Sequence, residues 1–73
     1  MNQLEQIQER VAILTEKVQE YEKEVKSTHA FLAMEPTEAN ANQYAQASLR
    51  LSSAKLALES AQSILKKEQD WVN

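Results

Sequence analysis

Cysteine and glycine are both absent from this 73-residue sequence, proline occurs once, and aromatic side chains make up only 5% of it. Without cysteine, disulfides and thiolate metal sites are excluded, and the chain suits a reducing compartment. Without glycine, it lacks the residue that tight positive-φ turns and phosphate-cradling loops rely on, which argues against most sheets and nucleotide sites. No apolar run approaches the length of about 20 residues that spans a bilayer, and no basic start leads into an apolar stretch of signal-peptide form. The expectation is a cytoplasmic protein with no membrane segment. At 8.3 kDa the chain makes one domain at most, too short to enclose a large core without help from a partner.

What is present is helix-forming and charged. Eight basic residues stand against eleven acidic ones, a net charge of −3, so the overall field gives no reason to expect a nucleic-acid backbone as the main partner. The imbalance is local: residues 1–35 hold seven Glu and four Lys or Arg, whereas residues 36–73 hold four of each sign.

In the first half, Leu4, Ile7, Val11, Leu14, Val18, Tyr21, Val25, Thr28 and Leu32 alternate spacings of three and four, an unbroken heptad seam in which only Thr28 is polar. Asn2 followed by Glu5 has capping-box spacing, which starts a helix at about residue 3. The second half repeats the pattern with Tyr44, Ala47, Leu51, Ala54, Leu58, Ala61, Leu65, Glu68 and Val72, large residues at a and mostly alanine at d. Between the halves, Pro36 disfavours helical geometry at Glu35, and Thr37 is a suitable N-cap for a second helix. The sequence thus predicts helices over about residues 3–34 and 38–71 joined by a turn at about 35–37, a single helical-hairpin domain covering residues 1–73.

A connection this short makes antiparallel neighbours. In an antiparallel coiled coil, facing residue numbers share one sum, and a fold-back at Pro36 sets that sum near 72. Val18 then faces Ala54, Tyr21 faces Leu51, Val25 faces Ala47 and Thr28 faces Tyr44, each seam residue meeting another. The layers alternate bulky pairs with Val–Ala pairs, the interdigitation that fills a two-helix seam without strain. The competing arrangement is a parallel dimer through residues 4–32, because Val at a with Leu or Ile at d also suits two-stranded parallel coils.

A lone two-helix hairpin is marginal, since ordering costs roughly 1.5 kcal/mol per residue. The outer face of the first helix is mostly Glu, Gln and Lys, broken by Ala12 and Ile13. The second helix differs. Opposite its seam run Ala45, Leu49, Ser52, Ser53, Leu56, Ser60 and Ser63, two leucines among small residues that let another backbone come close. The band is nearly symmetric about Ser52 and Ser53, the self-complementarity that a two-fold contact requires. The expected architecture is therefore an all-α antiparallel two-helix coiled-coil hairpin that dimerises through helix 2 into a four-helix bundle. The expected partner interface is Ala45, Leu49, Ser52, Ser53, Leu56 and Ser60.

Groups for chemistry are sparse. His29 is the sole histidine and has no ligand-type residue four positions away, so no zinc pair forms around it. Glu16, Glu20 and Glu24 read as a charged outer face rather than a cation site. None of the six serines lies in a nucleophile-elbow pattern. Lys66 and Lys67 suit the negative end of the helix dipole. Phe31 and Met34 beside the turn, and Trp71 at the far end, read as caps on the ends of the core, or else as end anchors for a partner. No enzyme activity, cofactor or metal is expected.

The function expected on these grounds is a small non-catalytic protein–protein interaction module, an adaptor, regulator or inhibitor of the kind phages and mobile elements encode, whose protein partner the sequence does not specify. A structural subunit that stacks into a larger helical oligomer is the alternative. A nucleic-acid-binding regulator stands third, with Arg50, Lys55, Lys66 and Lys67 as its basic strip.

Overall fold

Two helix starts and one stop set the architecture. The computed structural model describes residues 2–72. At the first start, the Glu5 backbone N–H donates to Asn2 Oδ1 at 2.8 Å, satisfying one of the amides a helix leaves unpaired in its first turn. Helix α1 then runs Gln3–Met34. It stops because Glu35 precedes proline: its backbone is extended, at φ −134° and ψ 96°, the region left open when the proline ring crowds the preceding residue. Thr37 restarts the chain, its Oγ1 accepting from the Asn40 N–H at 3.1 Å, and helix α2 runs Glu38–Val72.

The turn between them, residues 35–37, is built without glycine and, among the described residues, without a positive φ. Backbone amides already bond its carbonyls, the Glu35 N–H donating to Phe31 O at 2.9 Å and the Thr37 N–H to Glu35 O at 2.8 Å, and α2 adds a second donor to each. Asn40 Nδ2 donates to Glu35 O at 2.8 Å and to Phe31 O at 3.4 Å, so one side chain ties the end of α1 to the beginning of α2.

The result is an all-α helical hairpin, a rod of 53 × 15 × 14 Å. Cross-helix contacts place its register. Glu24 pairs with Arg50 at 3.4 Å, the rings of His29 and Tyr44 lie 5.5 Å apart, and Asn40 reaches Phe31. Each pair lies within two residues of the facing sum of 72, whereas sums of 65 or 79, the other choices the heptad allows, would offset these residues along the rod by roughly one and a half to two and a half turns. Intramolecular pairing along the whole seam takes the place of the parallel-dimer arrangement.

Every seam residue with a described side chain is buried or half-buried, from Leu4 to Leu32 on α1 and from Tyr44 to Glu68 on α2. The side chain of Val72, the last expected seam position, lies outside the described residues. The deepest positions are Val18 and the three alanines Ala47, Ala54 and Ala61. Thr28, the polar seam residue of α1, returns its hydroxyl to its own helix, donating to Glu24 O at 2.8 Å, so it enters the seam without an unmet hydrogen bond.

Candidate interaction surface

Helix α2 carries two apolar stripes on opposite sides. The inner stripe meets α1, and Ala47 in it is 2% exposed. On the outer stripe, Leu49 is 68% and Leu56 66% exposed. Their sevenfold spacing puts the two leucines almost in line along the rod, two turns or about 10.5 Å apart. Ala45, Ser52, Ser53 and Ser60, the other expected interface residues, are exposed around them. The hairpin therefore brings the whole band onto one accessible strip of α2, clear of the seam.

A second feature lies on one flank of the rod. Glu24 and Arg50 meet there, and residues one to three heptads from them share the flank: Arg10 and Lys17 on α1, Ala57, Ile64 and Trp71 on α2. A series of open grooves runs along this side. One is lined by Ile7, Arg10, Ala57, Ser60, Ala61 and Ile64, another by Leu14, Lys17, Tyr21, Arg50 and Ala54 with Leu49 and Ser53 of the outer stripe at its border. The cause is the seam sequence. The d positions lie toward this flank, and on α2 they are alanines, too short to roof over Ile7, Leu14 and Tyr21 of α1, which remain half-buried. Ile13 and Ile64 stand at the groove edges, each about half exposed. The sequence marks Ile13 as a break in the charged face of α1; the signal that joins it to Ile64 on one flank is the position of the alanines relative to the seam, legible once the register is known.

The ends of the rod differ from expectation. Phe31 is 59%, Met34 79% and Trp71 87% exposed, so none of the three caps the core. The reason is positional: all three lie off the heptad seam. The expected placement of Lys66 and Lys67 also changes. Helix α2 continues to Val72, leaving no basic residue in its last turn, so the pair stands on the body of the helix rather than at its dipole end. His29 is exposed and tilted at 55° against the Tyr44 ring beside the turn.

Among the described residues no polar or charged side chain is buried, and no group of three or more His, Asp or Glu stands close enough to hold a metal ion. Among the same residues no helix is long and apolar enough to cross a membrane. No protein-family model, curated protein or solved structure matches this chain.

Proposed function

We propose that this chain is a small non-catalytic protein–protein interaction module that self-associates through the outer stripe of α2. The observation that carries this reading is the exposure of Leu49 and Leu56 on the side of α2 opposite its seam. A helix with apolar stripes on two sides normally packs between two neighbours, and α1 supplies only one. The quantity of uncovered surface supports it. The hairpin exposes 5701 Å², whereas a monomer of 8.3 kDa is expected to expose about 4,600 Å². The excess, about 1,100 Å², is comparable with the roughly 800 Å² that each partner contributes to a standard interface.

An antiparallel contact between two copies of α2 centred at Ser52 and Ser53 places Leu49 against Leu56 of the second copy. Hydroxymethyl side chains at the centre let the backbones approach. Two hairpins joined this way form a four-helix arrangement with both copies of α2 inside. Light scattering over a hundredfold range of chain concentration tests the reading: the mass should rise from one chain and level at two. A mass that stays at one chain throughout contradicts self-association, and one that keeps climbing replaces the closed dimer with a stacking subunit.

A further inference from the structure

The grooved flank adjoins the outer stripe of α2, with Leu49, Ser53 and Ser60 on their common border, and its charge is opposite to that of the whole chain. Around the grooves of this flank stand Arg10, Lys17, Lys23 and Arg50, against Glu9 and Glu24, with Ile7, Leu14 and Tyr21 lining those beside Arg10 and Lys17. Among the described residues Glu24–Arg50 is the one ion pair, so no carboxylate within 4.0 Å neutralises Arg10 or Lys17. The chain has a net charge of −3, yet this rim has a net charge of +2. Arg10 and Lys17 are seven residues apart on α1, two helical turns, and Ile7 and Leu14 repeat at the same interval just inside them.

We infer that this flank is a docking groove for an acidic amphipathic helix of a partner protein, laid along the rod as a third helix. The match is one of chemistry and period. Helix-in-groove recognition reads an apolar stripe at i, i+3, i+4 and i+7, which the Ile7–Leu14 repeat and the short alanine floor accept. Carboxylates bordering that stripe two turns apart would meet Arg10 and Lys17 together, and paired charges at a rim set orientation and partner choice more than bulk affinity. The opposite flank lacks this combination: its positions nearest the seam are Thr15, Glu22 and His29 on α1 and Ser48, Lys55 and Gln62 on α2, with one cation against one carboxylate and no apolar edge. The inference deepens the reading of the chain as an interaction module, but it does not need the chain to self-associate.

Fluorescence anisotropy with two labelled synthetic helices tests it. Both carry the same leucine stripe, bordered two turns apart by Glu in one and by Lys in the other, and each is titrated with the intact chain at low salt. The Glu-bordered helix should bind at least tenfold more tightly. The double variant Arg10→Glu, Lys17→Glu should reverse that preference while its circular dichroism stays native, and Leu56→Glu, on the outer stripe but lining none of the grooves, should leave it unchanged. Equal binding of the two helices, binding of neither, or a preference that survives charge reversal overturns the docking groove. Displacement of the Glu-bordered helix by excess unlabelled chain also overturns it, because the occupant would then be a second copy. If the groove binds the Glu-bordered helix while light scattering finds one chain, self-association fails and the groove stands; the converse pair of results separates them the other way.

Discussion

The two stripes of α2 contain the same class of residue and meet opposite fates. On the inner side, small alanines are almost wholly removed from water; on the outer side, leucines keep two thirds of their surface. Hydrophobicity therefore does not rank burial here, because the residue with less apolar surface is the one that is covered. The difference lies in the partner. Heptad spacing and the turn at Pro36 bring α1 onto the alanine side, and α1 closes tightly because alanine lets it approach. Leucine on the outer side has no such neighbour within the chain, and it is the outer stripe that gives the hairpin a surface to offer.

Substitutions at matched positions on the two stripes should break this comparison most sharply. Ala47→Asp places a carboxylate at a seam position only 2% exposed, a desolvation that costs about 3–5 kcal/mol and should abolish most helical signal in circular dichroism. Leu49→Asp, measured at concentrations below association, should change hairpin stability by no more than about 0.5 kcal/mol. Similar losses at both positions would mean that the outer stripe is as covered as the inner one.

A smaller effect is expected from bulk alone. Ala54→Leu adds side-chain volume to a layer that already holds Val18, and overpacking of this kind costs about 1–3 kcal/mol. A thermal midpoint that stays level or rises would show a loose seam. At the turn, Asn40→Ala removes the donor shared by Phe31 O and Glu35 O, worth about 1 kcal/mol, or a midpoint lower by about 4–8 °C. The smallest change is Glu24→Gln. Both partners of the Glu24–Arg50 pair are about half exposed, so solvent screening holds the loss below about 0.5 kcal/mol, and calorimetry in added salt should find it smaller still.

Most of the fold was legible in the sequence because its determinants are local and periodic. Thr37 and Asn2 announce helix starts through their own side chains, Pro36 limits Glu35 by contact with its neighbour, and the two seams share a period that only one fold-back satisfies. Asn40 was not legible as a tie, since its role depends on where two carbonyls from α1 arrive in space. The exposed ends depart from expectation for a similar reason. Phe31, Met34 and Trp71 look like core by residue type, but their places off the heptad seam leave them exposed. The outer stripe could be read as apolar, whereas the grooved flank required knowing that the d-position alanines and the rim residues Arg10 and Lys17 share one side.

Sedimentation equilibrium of the native chain beside Leu49→Glu, Leu56→Glu tests self-association through α2 most directly. The native chain should sediment as a dimer whose population depends on its concentration. The variant, with charges placed on the contact, should remain a monomer with the hairpin's helical spectrum and a lower thermal midpoint. Identical masses and identical melting for the two chains would contradict the account, making Leu49 and Leu56 ordinary surface leucines.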